Sequence, residues 1–259
     1  MFFFMMVILR SIRNGLNPLK YIIPNWLEAL MLQSIGTDKF PYLNNPAWYV
    51  SALLIGSYIV YYFLRNHRKA FTQIIGPLGI IVIFSYFYRK YECLQGFIVT
   101  EGIWCNQAVL RALLGLTIGV FVYLAAQWCR DKHSERFSVL FVLIETGIFI
   151  GVPAVALFSS DYSYDFAYLF LFAVGIFCSS QDKILGKLSG TRVVTWLAEI
   201  TYPMYMVHFF VILLINKYWD TTVWHWWHIP VYIVETVIVA AVLHFIAKKL
   251  VNAVSSIIK

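Results

Sequence analysis

Seven stretches of this chain, residues 47–64, 74–88, 107–128, 137–158, 164–180, 193–215 and 229–251, are predominantly apolar over 15 to 23 residues. A helix crossing roughly 30 Å of hydrocarbon needs about 20 such residues, fewer where the span is short or buried. No water reaches the backbone there, so each stretch has to satisfy its own N–H and C=O groups as a helix. Composition leaves no competing solution. Of 259 residues, 61% are apolar and 13% charged, whereas soluble domains hold about 45–50% and 25%. A soluble enzyme, a disordered chain and a disulfide scaffold are excluded. The expected fold is all-α, a polytopic transmembrane helix bundle of seven to eight spans forming one membrane domain over residues 1–259. The eighth candidate, residues 21–36, carries Pro24 and Glu28 and either spans or lies along the interface.

The net charge of +7 is a topology signal. Twelve basic residues occupy loops 65–73, 129–136 and 181–192 and the C-terminal end: Arg65, Arg68, Lys69, Arg130, Lys132, Arg136, Lys183, Lys187, Arg192, Lys248, Lys249 and Lys259. The alternate loops hold four, Lys39, Arg89, Lys90 and Lys217. Strict alternation over seven spans reproduces this split, so the richer set and the C-terminus are expected in the cytoplasm. No basic run is long enough to follow a nucleic-acid backbone. The start, MFFFMMVILR, is apolar before its first charge. A signal peptide has the reverse order, and the segment reads as the last turns of a helix. The outer loop 216–228 carries Trp219, Trp224, Trp226 and Trp227, an interfacial belt.

Ionisable side chains inside spans are costly and mark functional candidates. Here they are Arg111, Glu145, His208, Glu235 and His244. At about 1.5 Å per residue, Arg111, His208 and Glu235 lie at a common level, roughly 6–10 Å below the outer surface. They are expected to share a polar cavity in the outer half, with a structural ion pair between Arg111 and Glu235 as the plain alternative. Glu145 is nearer mid-membrane and His244 nearer the cytoplasm. Thr201, Tyr205 and His208 recur at i, i+4 and i+7 on one helical face. Pro203 within that helix removes a backbone donor. This stripe lines a substrate path or bonds neighbouring helices.

Other patterns carry less. Gly115 with Gly119, and Gly147 with Gly151, are small-xxx-small pairs expected at tight helix contacts. His225 and His228 have a metal-compatible spacing but no third ligand, so no metal is expected. Cys93 and Cys105 share one outer loop and can pair if that side is oxidising. No phosphate-binding glycine loop or G-x-S-x-G elbow is present, nor any internal repeat of a transporter kind.

Two segments together resemble acyltransferase family 3, membrane enzymes that O-acylate sugars and surface polysaccharides in bacteria. Residues 26–36, WLEALMLQSIG, followed by 44–54, NNPAWYVSALL, are similar to the family's N-x-P-x-W-x-x-S entry into a span. Residues 199–208, EITYPMYMVH, look like its late S-Y-x-x-Y-L-x-H helix. Between them, Arg111 to Gly119 is similar to its R-x-x-x-x-x-x-x-G span. Order and spacing over residues 26–210 make the likeness fairly specific. Leu53 stands where some members have a Glu. The family's first span, with a basic residue and the His held to be catalytic, has no counterpart here. By resemblance, the chain corresponds to the C-terminal two-thirds of such an enzyme.

The resemblance implies transfer of an acyl group, expected to be acetyl from acetyl-CoA as co-substrate, onto a hydroxyl of a cell-envelope glycan or exopolysaccharide in the bacterial plasma membrane. His208, Arg111 and Glu235 are the catalytic candidates. Tyr205, Thr201, Trp48 and Ser51 are expected to contact substrate. Arg10 and Arg13 match the family's arginine pair on the acyl-CoA side. Two other readings stand beside this one: a truncated, inactive remnant, and a transporter or flippase for lipid-linked sugars. The topology is directly checkable. A cysteine probe introduced within 216–228 should react with a membrane-impermeant reagent added outside, and one within 181–192 should not. The reverse pattern overturns the orientation.

Overall fold

The computed structural model describes residues 2–15, 17–35, 44, 46–94, 107–129, 136–159, 162–181, 190–218 and 227–258. Among them there is helix and no strand. The helices are α1 (Phe2–Asn14), α2 (Leu19–Ile22), α3 (Trp26–Ala29), α4 (Ala47–Asn66), α5 (Arg68–Tyr91), α6 (Gln107–Cys129), α7 (Arg136–Phe158), α8 (Asp165–Gln181), α9 (Arg192–Tyr218) and α10 (His228–Ile258). Seven of them, α4 to α10, contain segments long and apolar enough to cross a membrane. They coincide with the seven predicted spans. The span windows of α7 and α10 bury only 11% of their residues within the protein. Side chains such as Leu143, Ile150, Ile238 and Val251 point outward instead. In water that surface would be untenable, and in lipid it costs nothing.

The second span is longer than its apolar window, 24 residues from Arg68 to Tyr91. Its charged ends explain the difference. Lys90 lays its ammonium over the rings of Tyr86 and Tyr91, 5.6 and 5.4 Å from their centroids, so the helix continues into the headgroup layer. A π-turn at Phe71–Ile75 precedes Gly76 and Pro77. Pro77 cannot donate to the carbonyl of Gln73, and the ladder widens there.

Residues 21–36 do not form a span. Within 19–35 the chain breaks into α2, a 3₁₀ turn at Ile23–Asn25, α3 and a second 3₁₀ turn at Gln33–Ile35. Pro18 and Pro24 interrupt the ladder, and Met31 adopts a left-handed conformation at φ 56°. Leu19, Ile23, Trp26 and Leu30, spaced 4, 3 and 4, are each more than half exposed. That stripe suits a segment lying along the interface.

The described residues divide into two compact units, one within 1–33, 39–50 and 191–259 and the other within 34–38 and 51–190. In the first, α9 packs along α10, and Ile200, Met206, Val207, Val211, Ile215 and Ala240 are buried. Phe3 and Val7 of α1 pack on Tyr21 and Ile22. In the second, α5, α6 and α8 enclose Phe87, Leu114, Ile118 and Phe166. Buried Gln107 donates through Nε2 to the Tyr86 and Tyr91 hydroxyls. Gln181 ties the end of α8 to the Ala126 carbonyl at 2.9 Å. Ser34 N–H donates to the Ser51 hydroxyl at 3.0 Å, both residues fully buried.

The glycine pairs are a correction. A Cβ built at Gly115, Gly119, Gly147 or Gly151 meets nothing within 4 Å. The close approaches are elsewhere. At Gly56 a Cβ falls 3.1 Å from Leu116 Cδ1, and at Gly175 it falls 3.2 Å from Ile148 Cγ2 and 3.3 Å from Phe149 Cε2. Spacing marks faces that permit contact, and the bulk of neighbouring side chains selects which face is used. Replacing Gly175 with Leu is therefore expected to destabilise the protein by about 1–3 kcal/mol through overpacking. Gly147→Leu should leave the detergent melting temperature unchanged. Equal effects would show that α7 and α8 are packed differently.

Candidate functional site

The first unit holds the most structured polar region. Helix α9 carries Pro203 in its interior, so the Glu199 carbonyl lacks its helical donor. Of the predicted face, Tyr205 and His208 come together, with ring centroids 5.5 Å apart. Thr201 does not join them. It is exposed, and its hydroxyl donates to Leu197 O of its own helix at 2.9 Å.

Tyr205 reaches back across 159 residues, its hydroxyl donating to the Pro46 carbonyl at 3.0 Å. This bond joins the two segments whose motifs were singled out above. Tyr49, three residues after Pro46, lies 6.2 Å from the Tyr205 ring, and Trp48 lies 5.4 Å from Tyr49. A row of aromatic faces results, running Trp48, Tyr49, Tyr205, His208.

His208 Nδ1 contacts the Tyr205 carbonyl. A carbonyl only accepts, so Nδ1 is the donor in this contact, and the neutral tautomer compatible with it has its lone pair on Nε2. That nitrogen can receive a proton or orient a hydroxyl. His208 is half-buried.

Below Pro46, the backbone N–H of Asn44 donates to Glu28 Oε1 in a short bond. Glu28 on α3 is 3% exposed and Asn44 2% exposed. Nearby in sequence, Gln33 is 2% exposed, and neither atom of its amide has a hydrogen-bond partner. The Nδ2 of Asn44 is likewise unpartnered. Burying an unsatisfied polar group costs about 1–3 kcal/mol. Sequence reading assigned Glu28 and Gln33 no role. Their signal was a Glu and a Gln within an apolar stretch too broken by proline to span.

The remaining candidates lie on other elements. Arg111 is half-buried on α6 in the second unit, whereas Glu235 is half-buried on α10 in the first. Trp48 and Ser51 lie in the first two turns of α4. Arg10 and Arg13 both lie on α1, Arg10 partly buried. Glu145 has a buried Oε2 without a partner. His244 does have one. Its Nε2 lies 3.3 Å from Glu199 Oε2, with Lys248 Nζ 3.9 Å from the same oxygen. Glu199 was not predicted to pair. Depth counted from the cytoplasmic ends of the two spans, rather than the outer ends, would have matched it to His244. His228 is buried with its ring 3.8 Å from that of Trp227. His225 and Cys105 lie outside the described residues, and with them the metal spacing and the Cys93–Cys105 pairing.

Comparison with known proteins gives one finding. A family model described as an acyltransferase domain, acyltransferase family 3, matches residues 1–245. No curated protein and no solved structure matches the chain.

The Tyr205–Pro46 bond yields a prediction. Tyr205→Phe keeps the ring and removes the donor, and should lower stability by about 1 kcal/mol, the net worth of one such bond. Thr201→Val, whose hydroxyl bonds only its own helix, should leave the unfolding midpoint unchanged. A Tyr205→Phe protein as stable as the parent would show that the two motif segments are held together by other means.

Proposed function

This chain belongs to acyltransferase family 3 and is an integral, multi-pass membrane protein, and from that premise we propose that it O-acetylates a hydroxyl of a cell-envelope glycan at the bacterial plasma membrane, with acetyl-CoA as donor. The observation that carries the reading is His208. In its neutral tautomer Nδ1 donates to the Tyr205 carbonyl, so Nε2 offers a lone pair beside a row of aromatic rings. A hydroxyl donating to Nε2 is oriented and made more nucleophilic.

In the proposed transfer, the acceptor oxygen attacks the thioester carbonyl and a C–O bond forms. The negative charge that develops on the carbonyl oxygen needs a fixed positive group. Collapse breaks the C–S bond. The hydroxyl proton passes to a general base. The thiolate leaves and takes up a proton. His208 is a positioning group here, and Tyr205, Trp48 and Tyr49 supply flat apolar surface on which the carbon face of a sugar ring packs. Arg10 and Arg13 are proposed for the acyl-CoA phosphates, and Glu235 for holding polar groups within its span.

Mass analysis of envelope glycans from cells with and without the gene tests this reading. Acetyl increments should vanish on deletion and return on complementation. Complementation with His208→Ala should restore them at a rate about tenfold lower, the equivalent of one lost hydrogen bond of roughly 1.4 kcal/mol, at unchanged protein level. Identical glycans with and without the gene would overturn the proposal.

A further inference from the structure

Helix α5 ends in a feature that neither its packing nor the proposed transfer uses. Ile81, Ser85 and Arg89 form one row along the helix, and Val82, Tyr86 and Lys90 form the row beside it. These six residues line an open trough of about 520 Å³. Each row runs from an aliphatic side chain through a hydroxyl-bearing one to a cation. At about 1.5 Å per residue, the apolar and cationic ends lie roughly 12 Å apart. Ile81 and Val82 stand 60 and 64% exposed on a span, open to hydrocarbon.

Part of the cationic end is already held in place. The Tyr86 hydroxyl accepts from Gln107 Nε2 at 3.3 Å, and the Lys90 ammonium lies 5.6 Å over the Tyr86 ring. Arg89 differs. It is exposed, and among the described residues its guanidinium has no ion-pair partner. Two carboxylates belong to the same region. Glu92 sits on the left-handed cap of α5 at φ 55°, and Asp165 accepts the Leu94 N–H at 3.2 Å. Neither lines the trough. The helix dipole favours cations in the last turn, but it gives no reason for an apolar strip aligned beneath them. Basic residues are also sparse on this side of the chain. The alternate loops hold four, and two of those are Arg89 and Lys90.

The gradient along the trough selects its occupant. A phosphate offers the Arg89 fork a bidentate acceptor, within the field of Lys90 and open to the Ser85 hydroxyl as a donor. A hydrocarbon chain covers Ile81 and Val82. Free phosphate would leave the apolar end bare, and an uncharged lipid would leave Arg89 unmet. We propose that this trough binds an anionic membrane lipid, with Arg89 on the lipid phosphate and an acyl chain along Ile81 and Val82. The site does not rest on the acyl transfer proposed above, and failure of either leaves the other standing.

The test uses the full chain, purified in detergent and delipidated, with binding of the first lipid titrated by native mass spectrometry. The parent should retain dioleoylphosphatidylglycerol and release dioleoylglycerol, which lacks the phosphate. Arg89→Gln should bind the phospholipid about tenfold more weakly, the equivalent of one charge-assisted hydrogen bond. Arg68→Gln, an exposed arginine at the opposite end of α5, should bind it as the parent does. Without lipid, Arg89→Gln should unfold close to the parental temperature. Five results overturn the site. Dioleoylglycerol is retained equally well, so the charge is unused. Inorganic phosphate at the same concentration displaces the phospholipid, so the ligand is the free anion. Arg89→Gln binds as tightly as the parent. Arg68→Gln is weakened to the same extent, so retention follows net charge. Arg89→Gln melts well below the parent without lipid, so the arginine is structural.

Discussion

In hydrocarbon, a backbone N–H or C=O without a partner costs several kcal/mol, and everything in this protein is arranged around that cost. Seven helices answer it by bonding internally. Where a helix cannot, a side chain or a change of helix type takes over. At Pro77 the ladder widens into a π-turn, and Pro203 leaves the Glu199 carbonyl without its helical donor within α9. Charges follow the same rule. Glu199 lies inside its span with His244 and Lys248 against it from α10, so neither helix carries that charge alone into lipid.

The segment from 19 to 35 shows how an interfacial piece of chain is tied to the entry of a span. Its apolar stripe, Leu19, Ile23, Trp26 and Leu30, faces outward, the inverse of a soluble amphipathic helix. Outward apolar side chains suit the boundary of a bilayer, and they leave the inward face free for Glu28 and Gln33. A single straight helix over this length would have been a poor span because of Pro24 in its interior. Broken into short turns, it brings a buried carboxylate to the amide that opens α4. That contact lies two residues ahead of Pro46, whose carbonyl receives the Tyr205 hydroxyl and so joins the two motif segments of the chain.

His208 shows a division of labour within one helix. Tyr205 contributes its carbonyl to fix the ring's tautomer and its hydroxyl to fix the helix against Pro46. Both bonds depend on a single side chain and its own backbone. The orientation of Nε2 and the position of the N-x-P-x-W segment are therefore coupled. Thr201, on the same stripe by spacing, contributes to neither, because its hydroxyl is taken up by Leu197 O.

Periodicity and hydropathy alone determined the helical class, the number of spans and nearly all their boundaries, because in a bilayer these follow from length and apolarity without reference to neighbours. The motif segments and the pairing of Tyr205 with His208 were legible for a similar reason: residues four and three apart on a helix share a face whatever surrounds it. What required the tertiary structure was every question of which faces meet. Gly115 and Gly147 have the spacing for contact and stand open, while Gly175 is crowded by Ile148 and Phe149. Glu199 finds His244 across two helices, and Glu28 finds the backbone of Asn44, 16 residues further along the chain. Such pairings depend on the rotation and register of packed elements. Those are set by the sum of many small side-chain contacts, which no single residue's type or position in the chain encodes.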